Sequence, residues 1–289
     1  MFAAVSLLWG VPYLFIKVAV AELPPVTVVF VRVAMAALLL WPVAVRRGAL
    51  RGLRRRLPQV LLLSLTEIVV PFLLISMGEQ YVTSSLTGLL IASLPLFVAL
   101  LALRFDAAER VSGLRLLGLV LGIGGVAALL GIDVRGDSAQ LLGAAMVLLA
   151  TGSYAVSTLV IKRSFTDTSM LGVVAATTTI ASLLLAPFTV ALTPPRMPSL
   201  QVVLALVGLG VLCTATALML YFALIVEAGP SRASVITYLN PAVAVALGVA
   251  VLHEPLTAAI IGGFVLIIVG SWLSTRPSAA RTLRVRATR

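Results

Sequence analysis

Two charged side chains lie deep inside hydrophobic stretches of the sequence. Arg32 falls within an apolar run near 26–45, and Glu67 falls in the middle of a run near 58–77. An ionisable group at the centre of a bilayer is costly unless it is paired or hydrated. Two interpretations follow. The two groups form a structural ion pair between helices, or they line a polar cavity and bind a substrate or a proton.

Aromatic, hydroxyl and lysine side chains recur at helical spacing in two places. One set, four residues apart, shares a helix face: Trp9, Tyr13 and Lys17. A second set repeats the pattern: Tyr154, Thr158 and Lys162. An aromatic ring with a nearby cation suits a site that stacks an apolar body and attracts a carboxylate. The alternative is that the lysines reach the membrane surface, while Trp9 lies too deep for an interfacial belt and is expected to line a cavity.

Prolines and hydroxyl residues mark two further runs. A proline inside a helix removes a backbone donor and leaves a carbonyl that must find another partner in lipid. Such residues are also ordinary packing features of membrane helices. Because Pro95 and Pro241 occupy related places, we expect both to act as hinges beside a cavity. Three neighbours of Pro241 are predicted to bind substrate: Thr237, Tyr238 and Asn240.

Several motifs of soluble enzymes are imitated without their context. Residues 122–127 fit a dinucleotide-binding pattern, but they lie inside an apolar run with no strand before them, so close helix packing explains the glycines better. His253 is the only histidine and Cys213 the only cysteine, which disfavours a zinc site or a disulfide. The sequence therefore predicts no enzyme, no cofactor and no metal.

The composition is that of a membrane protein. Of the 289 residues, 61% are hydrophobic and 11% are charged, against roughly 45–50% and about 25% in soluble domains. The apolar runs are continuous and about 20 residues long, which indicates helices, since barrel strands alternate over about 10 residues. We predict an all-α integral membrane protein with ten transmembrane helices, near 3–21, 26–45, 58–77, 83–103, 114–131, 139–161, 169–192, 199–223, 230–252 and 257–274.

The positive charge is interpreted as a topology signal. The net charge is +11, and with a cytoplasmic N-terminus most Lys and Arg residues fall in inner loops and in the tail, whereas Arg135 and Arg196 fall outside. We expect a multi-pass protein of the inner (plasma) membrane with both termini in the cytoplasm. Membrane lipid is an expected partner, nucleic acid is not, and the basic tail is assigned no specific partner.

The chain contains an internal repeat. At one constant offset Lys17 aligns with Lys162, Glu109 with Glu254 and Gly125 with Gly270. Because each half would hold five spans, an odd number, the second half must enter the membrane in the opposite sense. The predicted organisation is a first repeat over 1–136, a second over 137–274, and a basic cytoplasmic tail over 275–289.

These features together resemble the EamA-type branch of the drug/metabolite transporter superfamily. The most specific stretches are residues 7–10 followed by Lys17, residues 30–32, and residues 234–241 continuing to 254–256. The resemblance implies a cavity surrounded by helices one to four and six to nine, with helices five and ten peripheral. It also implies structural roles for Glu109 and Glu254 at the membrane surface. Glu67 and Pro71 depart from the commoner pattern of the family.

The function predicted from these features is secondary active transport of small metabolites by alternating access. Export of amino acids or related zwitterionic or anionic compounds is the first choice, with proton coupling through the deep charges. The alternatives are a permease for drugs, sugar conjugates or nucleobases, and a facilitative channel. The proposed substrate-binding set includes Lys17, Arg32 and Glu67, which would give the cavity a net positive charge.

Overall fold

The computed structural model describes residues 1–105, 113–133, 137–192, 197–228 and 236–274, and these residues form helices and connections without a strand. We number the helical segments α1 to α10. They are α1 (Phe2–Gly10 and Pro12–Val20), α2 (Pro25–Arg46), α3 (Leu53–Gly78), α4 (Ser84–Ile91 and Leu94–Phe105), α5 (Leu114–Asp133), α6 (Ser138–Ser164), α7 (Met170–Ala191), α8 (Leu200–Val207, Gly208–Thr216 and Ala217–Ala228), α9 (Ile236–Leu252) and α10 (Ala258–Ser274).

Eight of these segments, α1 to α8, are long and apolar enough to cross a membrane. The apolar parts of α9 and α10 are shorter, Tyr238–Leu252 and Ala258–Ser274. At 1.5 Å per residue α10 extends about 25 Å, slightly less than the roughly 30 Å hydrocarbon core. The all-helical membrane fold is confirmed, whereas membrane crossing by all ten segments stays a prediction. The tail over 275–289 and Glu109 lie outside the described residues.

Proline positions explain two interruptions. In α1 the helix breaks at Val11, directly before Pro12. In α4 it breaks at Ala92 and Ser93, just before Pro95. In both cases the proline nitrogen has no hydrogen to donate into the preceding turn, so the helix restarts there.

Two helices widen into π-helical turns. In α3 the widened stretch is Ser64–Val69, and Pro71 follows it. Pro71 cannot donate to the carbonyl of Glu67, so an i→i+4 ladder could not continue through this point. In α8 the widened stretch is Gly208–Thr216, where the Thr214 hydroxyl donates to the Leu209 carbonyl, five residues earlier, at 2.8 Å.

The helix contacts pair one half of the chain with the other. Helix α2 packs on α7, α4 on α9, and α5 on α10. The contact of α3 with α6 has a counterpart in the contact of α8 with α1. If α1 to α5 are exchanged with α6 to α10 in order, the first three contacts stay the same and the contact of α3 with α6 becomes that of α8 with α1. These contacts support the predicted inverted repeat, which stays a prediction.

Glycines let α5 and α10 approach closely. A Cβ added to Gly270 would lie 2.4 Å from the backbone nitrogen of Gly122 and 2.6 Å from the carbonyl oxygen of Gly118. No side chain fits at such distances, so backbone packs directly on backbone. Gly262, on the same helix, has no atom within 4 Å of an added Cβ. Close helix packing, predicted for the glycines over 122–127, thus holds for Gly122 and extends to Gly118 and Gly270, whereas Gly262 takes no part in it.

A charged link joins the start of α3 to the connection between α6 and α7. Arg56 Nη1 and Nη2 donate to the two carboxylate oxygens of Asp167, each at 2.7 Å. The hydrogen bonds from Arg56 hold the pKa of the Asp167 carboxyl below its ordinary value. This link places the arginine-rich segment over 46–56 and the loop over 165–169 at the same end of the bundle.

We predict that Gly270→Ala destabilises the protein by about 1–3 kcal/mol, because the methyl group must push two backbones apart. Thermal unfolding in detergent measures the effect. The matched control is Gly262→Ala, which adds the same methyl group into open space and should be neutral or stabilising by up to about 1 kcal/mol. Equal melting temperatures for the two variants would contradict the packing argument.

Candidate functional site

A cavity of about 290 Å³ lies at the centre of the bundle. Its lining comes from α1 to α4 and α6 to α9, and within the described part of the chain neither α5 nor α10 contributes to it. This is the arrangement that the family resemblance implied. Seven residues singled out in the sequence line it: Trp9, Tyr13, Arg32, Glu67, Tyr154, Asn240 and Pro241.

Arg32 presents a guanidinium to this cavity from α2. Its Nε donates to Oγ1 of Thr214 on α8 at 2.9 Å, and its Cζ lies 3.9 Å from the centre of the Phe72 ring. The side chain is 8% exposed. No described residue accepts a hydrogen bond from its two terminal nitrogens. These contacts fix the plane of the guanidinium and leave a two-pronged donor suited to a carboxylate.

Glu67 enters the cavity from the widened turn of α3. The hydroxyl of Ser157 on α6 donates to its Oε2. Glu67 forms no salt bridge with Arg32. The salt bridge found among the described residues joins Arg56 to Asp167. The interpretation of Arg32 and Glu67 as a direct structural ion pair is therefore wrong. Each group forms its hydrogen bond with a hydroxyl from another helix, Arg32 with Thr214 and Glu67 with Ser157.

Aromatic rings form much of the remaining wall. Trp9 packs on Tyr221 of α8, with ring centres 4.7 Å apart and planes tilted by 49°. Tyr13 and Tyr154 face the cavity from α1 and α6, and Phe72 completes the wall on α3. Among the described residues the lining thus combines apolar ring faces with one cation and one carboxyl group.

Asn240 adds an acceptor from α9. Its Oδ1 is buried and accepts no hydrogen bond from a described residue, although Asn240 lines the cavity. Buried polar atoms normally have a partner. Tyr238 is not part of the lining, and the side chain of Thr237 lies outside the described residues.

Three residues of the sequence pattern, two lysines and one threonine, lie away from the cavity. The Lys17 ammonium donates to the backbone carbonyls of Glu79 and Val82, at 2.5 and 2.8 Å. Thr158 is exposed, and its hydroxyl donates to the carbonyl of Tyr154, while Lys162 is exposed at the end of α6. The expected contribution of Lys17 to a net positive charge of the cavity is therefore wrong. Among the described residues the lining holds one arginine and one carboxyl group.

The two prolines differ in their surroundings. Pro241 lies inside the continuous helix α9 and lines the cavity, whereas Pro95 follows the break in α4 and is not part of the lining. At that break Ser93 donates its hydroxyl to the Leu90 carbonyl at 2.5 Å. The hinge role of both prolines stays a prediction.

Several lining residues were not anticipated from the sequence. They are Phe72, Thr177, Thr178, Cys213 and Thr214, besides apolar neighbours. The run of three threonines at 177–179 inside an apolar helix is a weak sequence signal that Thr177 and Thr178 line a cavity. The sequence carried no comparable signal for Cys213, which reads equally well as a small core residue.

Glu254 closes the N-terminal end of α4. Its Oε1 accepts from the backbone N–H of Ser84 at 2.7 Å, and its Oε2 accepts from the N–H and hydroxyl of Ser85 at 2.9 and 2.6 Å. A carboxylate there satisfies backbone donors that have no partner within the helix. This contact gives Glu254 a structural role, as the resemblance implied.

The described helices thus surround a cavity that receives a guanidinium from Arg32 and a carboxyl group from Glu67. The EamA-like transporter family matches residues 1–131 and 141–276. The chain belongs to this family.

Relatives within the EamA-like transporter family cover nearly the whole chain. An uncharacterized transporter of Bacillus subtilis, YoaV, is 25% identical over 276 residues, which is 94% of either protein. An uncharacterized inner membrane transporter of Escherichia coli, YedA, is 26% identical over 280 residues, covering 93% of this chain and 90% of YedA. The protein is thus a multi-pass membrane transporter. Its relatives are transporters and not enzymes by name.

A solved crystal structure shares the fold. Its chain is 19% identical in sequence, and the match covers 100% of this chain and 97% of that one with a TM-score of 0.67. At this identity the likeness concerns the fold alone.

We predict that Thr214→Val, which keeps the side-chain shape but removes the acceptor of Arg32, destabilises the protein by about 1–3 kcal/mol, because a buried charge loses its partner. Thermal unfolding in detergent provides the measurement. Thr216→Val on the same turn is the control, since Thr216 forms no hydrogen bond with Arg32, and it should have a clearly smaller effect. Equal losses in the two variants would contradict the anchoring role of Thr214.

Proposed function

We propose that this transporter is a secondary active carrier that exports amino acids or related zwitterionic metabolites by alternating access. The observation that supports this choice best is the pairing of opposite charges on one small cavity. Arg32 supplies a cation and Glu67 a carboxylate, and the two do not neutralise each other by direct contact. A zwitterion would satisfy both groups at once, whereas an anion or a cation would leave one of them without a counter-charge.

The carboxylate of the substrate would bind Arg32. Thr214 and Phe72 already hold the guanidinium plane, so little conformational freedom is lost when its terminal nitrogens engage a ligand. A bidentate contact of this kind recognises a planar carboxylate better than a single ammonium would.

The ammonium of the substrate would bind on the other side of the cavity. Glu67 offers charge, and Asn240 Oδ1 offers an acceptor that no described residue uses. The rings of Tyr13 and Tyr154 add π-faces, which attract cations. The remaining apolar wall would accept an aliphatic or aromatic side chain.

The size of the cavity favours metabolites over drugs. Its volume of about 290 Å³ lies at the lower limit of the roughly 300–1,000 Å³ typical of small-molecule sites. An amino acid would fill it, whereas a large drug would require rearrangement. The multidrug alternative therefore ranks second.

Alternating access is supported by where the irregular helix turns lie. Helices α3 and α8 are the third segments of the two predicted repeats, and both carry a π-helical stretch. Both stretches contribute to the cavity, through Glu67 on one side and Cys213 and Thr214 on the other. Widened turns have weaker hydrogen bonding than α-helix, so they are sites where a helix bends at low cost.

The experiment is counterflow in proteoliposomes with a radiolabelled mixture of the proteinogenic L-amino acids. We expect saturable exchange of a subset of them. Glu67→Gln should weaken binding of the zwitterion about tenfold or more, because the ammonium loses its counter-charge, and it should discriminate less against substrates that have only a carboxylate. Arg32→Lys should weaken binding as well, because a lysine cannot form the two-pronged contact.

Phe188→Leu, on an exposed position of α7 away from the cavity, is the control and should exchange substrate at the wild-type rate. Exchange of drugs or sugar conjugates without exchange of amino acids would contradict the proposed substrate class. Flux that does not saturate would favour a channel.

We also propose that both termini face the cytoplasm of the cell. In a Cys213→Ala background, Thr166→Cys should be protected from an impermeant maleimide in intact cells, because the loop between α6 and α7 would lie inside. Met197→Cys, at a position that is 96% exposed in the connection between α7 and α8, should react. The opposite labelling pattern would invert the proposed orientation.

A further inference from the structure

A second carboxyl group, Glu79, lies at the end of α3 and belongs to no site described so far. It follows the last residue of that helix and precedes the connection to α4. Its side chain is 0% exposed. It does not line the central cavity.

The Glu79 carboxyl is unusual because neither oxygen accepts a hydrogen bond. Both Oε1 and Oε2 are buried and have no hydrogen-bond partner among the described residues. An ionised carboxylate without hydrogen bonds in an enclosed site is strongly disfavoured, whereas the neutral acid is tolerated. The contrast with Glu254 is direct, since three donors contact that carboxylate at the same end of the bundle.

Titratable groups of several elements lie near Glu79. They are Lys17 and Tyr13 on α1, Arg32 on α2, and Glu254 in the connection between α9 and α10. Lys17 is the nearest cation, yet its ammonium donates to the backbone carbonyls of Glu79 and Val82 rather than to the carboxyl. The nearby ammonium therefore leaves both carboxyl oxygens of Glu79 without a salt bridge among the described residues.

Lys17 also separates two cavities. A second cavity of about 280 Å³ is lined by Lys17, by the connection between α3 and α4, and by Pro255 and Thr257. Along α1 the neighbouring residue Ile16 lines the central cavity, and along α4 Leu86 lines the second cavity while Gly88 lines the first. The two hydrogen bonds of Lys17 to the α3–α4 connection therefore lie at the border between the two cavities, where a gate would stand.

We propose that Glu79 is a proton-binding site whose occupancy is coupled to this gate. The closed gate holds the neutral acid. When the α3–α4 connection moves away, Lys17 leaves its two carbonyls, water from the second cavity reaches the carboxyl, and the proton passes from the carboxyl oxygen to water. The carboxylate then pairs with the Lys17 ammonium. Closing the gate takes up one proton again.

This assignment rests on the proposed transport function and gives its coupling ion a place. Glu67 would bind the substrate ammonium, and Glu79 would bind the proton. Glu67 lies within α3 before Pro71, and Glu79 directly follows the last residue of the same helix. Movement of that helix would therefore affect both sites together.

The first experiment measures amino-acid transport by Glu79→Gln in proteoliposomes. With the same radiolabelled mixture, exchange at equal pH should persist, whereas accumulation driven by a pH gradient should fall about tenfold or more, because the amide neither releases nor takes up a proton. The matched control is Glu22→Gln, an exposed glutamate in the connection between α1 and α2, which should retain pH-driven accumulation. Wild-type accumulation that ignores the pH gradient would overturn the proposal.

A second experiment is independent of substrate. Infrared spectra of the purified protein should show the C=O stretch of a protonated carboxyl at neutral pH, and Glu79→Gln should remove it while Glu22→Gln retains it. Persistence of the band in folded Glu79→Gln would overturn the proposal. Exchange failing while this band is found at Glu79 would instead refute the proposed substrate class and leave the proton site standing.

Two further variants keep the test valid if Glu79→Gln does not fold. Lys17→Gln removes the positive charge that would stabilise the released carboxylate, so the pH midpoint of transport should rise by about one unit. Glu254→Gln removes a nearby negative charge and should shift the midpoint downward. Loss of structure alone would not shift the midpoint in opposite directions, and shifts of the same sign would overturn the proposal.

Discussion

The cost of placing polar groups in a low-dielectric bundle governs the whole arrangement. Arg32, Glu67 and Glu79 lie among apolar helices, and each must be bound, hydrated or neutral. The three groups differ in the contacts that offset this cost. Arg32 donates to Thr214 and lies on a ring face, and Glu67 accepts from the Ser157 hydroxyl. The Glu79 carboxyl is enclosed and accepts no hydrogen bond from a described residue.

The irregular helices all line the cavity, whereas the outer pair of helices is regular. The outer pair α5 and α10 packs backbone against backbone through Gly118, Gly122 and Gly270. Around the cavity, by contrast, α1 and α4 are broken and α3 and α8 contain widened turns. Regular helices with close glycine packing resist deformation, whereas freed carbonyls and wide turns offer alternative hydrogen-bond registers. This division suits a carrier that keeps a stable frame while its central helices move.

Hydroxyl side chains take part in both roles. Thr214 donates to the carbonyl of Leu209 in the widened turn of α8 and accepts from Arg32. One side chain thus stabilises the irregular backbone and orients the charged group. A valine of the same shape would fill the space and lose both contacts.

The sequence by itself determined the membrane fold, the approximate spans and several cavity residues. Long apolar runs leave no alternative to helices in a bilayer, because every backbone group must bond within its own segment. Arg32 and Glu67 could be singled out because a charge in such a run is expensive, and Trp9 and Tyr13 because helical spacing puts them on one face. The α9 residues Asn240 and Pro241 were found for the same local reasons.

Tertiary structure alone decided which partners these residues meet. Helical spacing places Lys17 on the face of Trp9 and Tyr13, yet its long side chain turns to the carbonyls of Glu79 and Val82, because a flexible ammonium goes to the nearest acceptors in three dimensions. Thr214, Phe72 and Ser157 come from other helices, and no local pattern reports contacts between residues so distant in sequence. Glu79 shows the limit most clearly. From the sequence it is a glutamate at the end of an apolar run, and only the packing of the surrounding helices leaves its carboxyl without a hydrogen-bond donor among the described residues.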